Sequence, residues 1–168
     1  MWNLRLARMD DVPALEELIP LSVRALQAEH YSRAQMEAAL GPIFGVDRQL
    51  IADGTYFVVE EAGRIVGCGG WSMRKAVFGG DRARAGADEL IDPSRDAARI
   101  RAFFVHPDFV RRGIGRAVLT ACESAIVATL AGEPLYAAFA YEVIERYEVP
   151  MSGGLKLPAV RMMKRLLP

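Results

Sequence analysis

The chain has 168 residues, 52% hydrophobic and 25% charged, the balance of one globular domain with a real core. Its 21 basic and 21 acidic residues cancel, which argues against nucleic acid or an anionic membrane as the main partner. Cys68 and Cys122 are the only cysteines, both in apolar contexts, and read as buried reduced thiols. No apolar run reaches the roughly 18 residues of a membrane span, and the N-terminal stretch carries charges instead of a signal peptide, so a cytoplasmic protein is expected.

Trp2, Leu4 and Leu6 alternate with Asn3 and Arg5, the period of a half-buried strand. Asp10 or Asp11 can cap the helix that follows, with Pro13 in its first turn and Leu15, Leu18 and Ile19 as its inner stripe. A second helix opens at Ser32-Arg-Ala-Gln35, which has capping-box spacing, and stops at Gly41-Pro42. Tyr56–Val59 and Ile65–Cys68 form a hairpin through a turn containing Gly63. Gly67, Gly69 and Gly70 point to a bulge or a close backbone approach in its second strand. From Ser72 to Ala98 periodicity is lost; Arg74, Lys75, Asp81, Arg82, Arg84, Asp88, Glu89 and Asp92 lie on a solvated flap or along an acceptor channel.

The stretch with most chemistry begins at Arg99. Ile100–Val105 is rich in aromatic and β-branched residues and reads as a strand, stopped by Pro107. Ile114, Val118, Cys122, Ile126 and Leu130 then recur every four residues, which predicts one long helix. Between them lies Arg111-Arg-Gly-Ile-Gly-Arg116. Unpartnered amides and a positive dipole at such a helix start stabilise an anion, most often a phosphate. No lysine follows Gly113 or Gly115, which excludes a P-loop, and Val118 replaces the third small residue of a dinucleotide fingerprint.

Val105-His-Pro107 followed by Arg111-Arg-Gly-Ile-Gly-Arg116 resembles the Gln/Arg-x-x-Gly-x-Gly/Ala signature of the GCN5-related N-acetyltransferases, with Val110 where that family prefers Gln or Arg. The resemblance implies a single α/β (α+β) domain over residues 1–168. Its sheet would be mixed and mainly antiparallel, with a splayed parallel strand pair and helices on both faces. It implies acetyl-CoA as cosubstrate, with Phe103, Phe104 and Val105 on the pantetheine and Arg111, Arg112, Gly113, Ile114, Gly115 and Arg116 on the pyrophosphate. The acceptor would be a primary amine of a small molecule or peptide, flanked by the two N-terminal helices, where Tyr31 and Met36 either pack or touch substrate. No nucleic acid, membrane or metal is implied.

After the central helix, Glu133–Ala140 reads as a strand parallel to Ile100–Val105. Tyr141–Pro150 and Leu157–Leu166 then read as a hairpin around Met151-Ser-Gly-Gly154. The family has a helix between these parts, introduced by a pattern like Ala-x-x-Phe-Tyr-x-x-x-Gly-Phe, whose tyrosine often protonates the departing thiolate. Passing from Ala140 directly to Tyr141 leaves no room for it. An altered edge, a hairpin swapped into a homodimer partner, or a missing segment would each accommodate this. No catalytic residue is assigned: Glu60, Glu61, Asp88, Glu89 and His106 remain as bases, and Tyr141, Tyr147 or solvent as acids. Without a recognisable acid, an acyl-CoA-binding regulatory or interaction module stands as the alternative to the enzyme.

Overall fold

The computed structural model describes residues 1–75, 88–91, 99–122, 125–129 and 133–163. Among them, β1 (Asn3–Leu6), β2 (Tyr56–Glu61), β3 (Arg64–Ser72), β4 (Arg99–Val105), β5 (Ala125–Thr129), β6 (Glu142–Pro150) and β7 (Lys156–Met163) form one sheet in the order β1-β2-β3-β4-β5-β7-β6. Neighbours are antiparallel except β4 and β5. Helices α1 (Val12–Leu26), α2 (Arg33–Ala39) and α3 (Arg48–Ala52) precede β2; α4 (Ile114–Ala121) and α5 (Glu133–Ala137) flank β5.

Strand alternation sends neighbouring residues to two cores. Tyr56, Val58, Phe104 and Leu157 pack with Leu15, Ile19, Val23 and Leu50 of the first three helices. Val59, Val66, Ile100 and Val160 pack with Ile114, Val118, Leu119 and Tyr136 on the opposite face. This is the mixed, mainly antiparallel sheet with helices on both faces that the sequence leads one to expect. Local signals hold as well. Ser32 Oγ accepts from Gln35 N–H while Ser32 N–H donates to Gln35 Oε1, the capping box of α2. The β2–β3 turn sits on Ala62 and Gly63, both at positive φ.

The structure corrects the sequence reading after Ala121. The helix ends there, with Cys122 as its C-cap, and Ile126 belongs to β5 instead of a continuing helical stripe. Ile126, Val127 and Thr129 are β-branched and fit a strand better than a fourth helical turn. The predicted strand Glu133–Ala140 is helix α5, with Pro134 near its start, where a missing amide matters least. A Schellman motif closes it: Ala140 N–H donates to Ala137 C=O and Tyr141 N–H to Tyr136 C=O, both at 3.1 Å, with Ala140 left-handed at φ +62°. The parallel partner of β4 is therefore β5, not Leu135–Phe139.

That shift removes the missing-helix problem. Residues 130–141, a dozen positions, separate Thr129 from Glu142, enough for a crossover. The terminal hairpin forms as expected, β6 against β7 from Glu142↔Met163 to Pro150↔Lys156. β7 also pairs with β5 of the same chain, so no swapped hairpin is needed to complete the sheet. The last predicted strand residues, 164–166, lie outside the described residues, as do Asp81, Arg82, Arg84 and Asp92 of the long loop. The described ends of that loop meet at an Arg74↔Leu90 bridge, where the Arg74 guanidinium grips Asp53 at 2.7 and 2.8 Å.

Candidate active site

β5 follows β4 only through Arg99↔Ala125 and Ile100↔Ile126, while β4 runs on to Val105. On its other side β4 stays with β3: His106 N–H donates to Val66 C=O at 2.9 Å, and Gly67↔Val105 and Cys68↔Phe104 are partners. Antiparallel ladders alternate, so His106 and Phe104 direct their backbone groups to β3, and Val105 and Phe103 direct theirs to the open edge. Ser22 of α1, itself buried, confirms the direction, since its Oγ accepts from Val105 N–H at 3.2 Å.

A β-bulge precedes this edge. Ala102 and Phe103 together oppose Gly69, between the pairs Gly70↔Arg101 and Cys68↔Phe104, and Ala102 is left-handed at φ +60°. A Cβ on Gly69 would sit 2.5 Å from the Phe103 ring, and one on Gly67 would overlap Ile114 Cγ2. Both readings of the glycine strand hold in β3 itself: its register with β2 shifts at Val66, beside Gly67, and a Cβ on Gly70 would meet Thr55 C=O at 2.6 Å. The position of the bulge, on β4, carries no sequence signal of its own, because Ala102 is not glycine.

Beyond Val105, His106 serves as a turn residue: its Nδ1 accepts from Asp108 N–H at 3.2 Å and its Nε2 lies 3.4 Å from Arg64. Arg111 at φ +62° and Gly113 at φ +82° shape the turn into α4. The first intrahelical bond is Ala117 N–H to Gly113 C=O, which leaves the amides of Ile114, Gly115 and Arg116 ahead of the helical ladder. Gly115 faces Leu135 of α5; an added Cβ would lie 3.2 Å from it.

The arginines differ. Arg112 holds Glu61 in a two-pronged pair at 2.9 and 2.8 Å, lies over the Phe109 ring, and accepts at its C=O from Trp2 Nε1. Glu61 also pairs with the N-terminal amine at 3.1 Å, and Arg112, then that amine, hold its carboxyl below the usual range. Arg116 lies over Phe139, and Arg111 is exposed. Arg112 is therefore an anchor between the turn and the β2 end, its charge already paired with Glu61.

Residues 52–143 match the family model described as acetyltransferase (GNAT) domain. The chain belongs to the GNAT acetyltransferase family. Its fold is like that of a GCN5-related N-acetyltransferase from Rhodopseudomonas palustris, at 22% identity and TM-score 0.69, covering 98% of this chain and 95% of that one. It is also like PaiA N-acetyltransferase from Thermoplasma acidophilum, solved with coenzyme A, at 11% identity and TM-score 0.58 over 96% and 99% of the chains. The ribosomal-protein-S18-alanine N-acetyltransferase from Escherichia coli matches at 14% identity and TM-score 0.54 over 96% and 92%. No curated protein sequence matches the chain.

α5 and the turn after it carry a sequence similar to the pattern that introduces the family's tyrosine helix. Leu135-Tyr-Ala-Ala-Phe-Ala-Tyr141 follows the family pattern with Leu for Phe, Ala140 for Gly and Tyr141 for the final Phe. The left-handed φ of Ala140 explains why glycine is usual there. Tyr136 is buried, its ring centroid 6.1 Å from Phe103 and 6.0 Å from Tyr141. Burial first, then the neighbouring Tyr141 and Cys122, push its pKa up, so the hydroxyl keeps its proton. Burial also pushes the Cys68 and Cys122 thiols up to about 12, which leaves neither as a thiolate nucleophile. Of the carboxylates, Glu60 is paired with Arg5, Glu61 with Arg112, and Glu89 with Lys75. Tyr31 and Met36 are packed, with Tyr31 O–H donating to Pro158 C=O at 2.8 Å. Among the described residues no cluster could hold a metal ion, and no helix is long and apolar enough to cross a membrane.

Proposed function

We propose that this protein is an acetyl-CoA-dependent N-acetyltransferase, acting as a single domain in the cytoplasm on a primary amine of a small molecule or peptide. The observation that carries the reading is the open edge of β4, with Phe103 and Val105 backbone groups directed into it, beside the amides that open α4. Pantetheine would run along Phe103–Val105, chiefly through the backbone of Phe103 and Val105. The pyrophosphate would sit on the turn from Arg111 to Arg116, where Gly113 and Gly115 keep side-chain bulk away and the helix dipole favours negative charge.

In the reaction the neutral amine nitrogen attacks the thioester carbonyl carbon. The C–S bond breaks, the acetyl group becomes an amide, and the surplus proton of the amine leaves to a base or water. Phe103 N–H would polarise the carbonyl and stabilise charge developing on its oxygen. Tyr136 would protonate the departing thiolate, taking the role that its place in the family pattern implies.

The test is thiol release from acetyl-CoA across a panel of amines, with mass detection of acetylated products. Amine-dependent thiol release supports the enzyme. Tight acetyl-CoA binding without turnover would support the alternative, an acyl-CoA-binding module; Tyr136 in the pattern's tyrosine position weighs against it.

A further inference from the structure

The bulge in β4 decides which amides reach the open edge. An extra residue shifts the in–out and edge alternation of every residue after it by one. With the bulge at Ala102, Phe103 and Val105 turn away from β3; without it, Phe104 would take that orientation and the edge would be offset. The bulge is not self-supporting. Ala102 is left-handed, a conformation that an L-residue with a Cβ adopts at an energetic penalty. Its carbonyl has also left the regular β3 ladder and needs a donor elsewhere.

That donor comes from two strands away. Tyr56 of β2, fully buried under the first three helices, donates its hydroxyl to Ala102 C=O at 3.0 Å. Cys68 Sγ of β3 reaches the same oxygen at 4.0 Å as a weak second donor. Thr55 and Tyr56 in turn lie so close to Gly70 that a Cβ there would be 2.6 Å from Thr55 C=O and 2.7 Å from the Tyr56 ring. The tyrosine is therefore fixed against the β3 residue opposite Arg101, one step before the bulge.

We propose that Tyr56 is a positioning residue for acetyl transfer: its hydroxyl pins the Ala102 bulge and so aims Phe103 N–H at the acetyl-CoA thioester. The inference rests on the reading of β4 as the cofactor edge, but the pin itself is testable without a cofactor. Tyr56 touches none of the reacting atoms and acts only through the β4 backbone.

Three variants carry the test: Tyr56→Phe, Ala102→Gly and the double variant. Amide hydrogen exchange on the unliganded proteins reads the pin. Tyr56→Phe should speed exchange at Ala102–Phe104 while β2 and β7 stay protected, and Ala102→Gly, which relieves the left-handed strain, should restore protection in the double variant. Acetyl-CoA titration and steady-state kinetics read the consequence. Tyr56→Phe should weaken acetyl-CoA binding and lower kcat, together about five- to tenfold, the size of one buried hydrogen bond. KM for the amine should stay constant, and the double variant should recover most of the loss. Unchanged exchange at Ala102–Phe104 in Tyr56→Phe, or a loss that Ala102→Gly leaves in place, overturns the proposal. If Tyr56→Phe does not fold, a folded double variant supports the pin and an unfolded one overturns it. Wild-type protein that fails to bind acetyl-CoA would overturn the functional reading and the aiming role, while the exchange arm still decides the pin.

Discussion

A methyl group on Gly67 should disturb the turn before α4 from beneath. Its Cβ would overlap Ile114 Cγ2, with Phe104 C=O at 3.5 Å and Val59 Cβ at 3.8 Å closing the other sides. Ile114 is the first residue of α4 and fully buried, so the helix start has to move. Overpacking of this kind costs about 1–3 kcal/mol, and Ile114→Ala alone costs about 2–5 kcal/mol through its cavity. The two changes compensate in space, one adding the volume that the other removes. Gly67→Ala combined with Ile114→Ala should therefore be less destabilising than the sum of the singles by roughly 1 kcal/mol or more, the range of coupling between contacting residues. Urea unfolding of the four proteins measures this. Gly67→Ala should also weaken acetyl-CoA binding, because it shifts the amides of Ile114–Arg116. Additive stabilities, with acetyl-CoA affinity unchanged in Gly67→Ala, would refute the claim that this contact seats the turn.

Tyr136→Phe should lower kcat about 10²-fold or more while leaving KM for acetyl-CoA in place, as loss of a general acid does; unchanged kcat removes Tyr136 from the mechanism. Ser22 Oγ occupies Val105 N–H, so a ligand using that amide must displace it. Ser22→Ala should tighten acetyl-CoA binding several-fold by calorimetry and lower the melting temperature of the free protein, on the scale of one hydrogen bond of about 1 kcal/mol. Arg5 grips Asp11 with two bonds of 2.8 Å, which first among several causes holds the Asp11 carboxyl below its ordinary value. A depressed carboxylate stabilises the fold above its unfolded pKa, and that stability is lost as pH falls through the folded one. Arg5→Ala should thus melt lower than wild type at pH 7, with the difference closing as the pH is taken toward 2 in thermal melts.

Much of this architecture could be read from local chemistry. The capping box at Ser32, the Ala62-Gly63 turn, the stop at Pro107 and the Gly113-x-Gly115 turn each impose a backbone geometry that few other residues allow. The error after Ala121 has a physical origin. Ile114, Val118 and Cys122 are a true helical stripe, and Ile126 continues it by coincidence of spacing. The β-branched run Ile126-Val127 was the competing signal, and β5 satisfies it by pairing with β7, a partner some 35 residues away in sequence that no local window contains. With Ile126 counted in the helix, Leu135–Phe139 is left as the segment to pair parallel with β4, which obscures the likeness of Leu135–Tyr141 to the family pattern. The bulge at Ala102 was out of reach for a different reason. Its left-handed alanine is held by Tyr56 and accommodated by Gly69, both on other strands, so only the assembled sheet reveals it.

Calorimetric titration of acetyl-CoA into wild-type protein and Gly113→Val decides whether the turn into α4 holds the cofactor. Gly113 is at φ +82°, where valine is strained by about 1–3 kcal/mol, a load that a domain stable by about 5–15 kcal/mol tolerates. Placement of the pyrophosphate on the α4 amides requires one site on the wild type, and a Gly113→Val protein that melts cooperatively yet has lost binding at least about 100-fold, because its altered turn no longer presents those amides. Equal affinity in the two proteins, or no acetyl-CoA binding by the wild type, would contradict it.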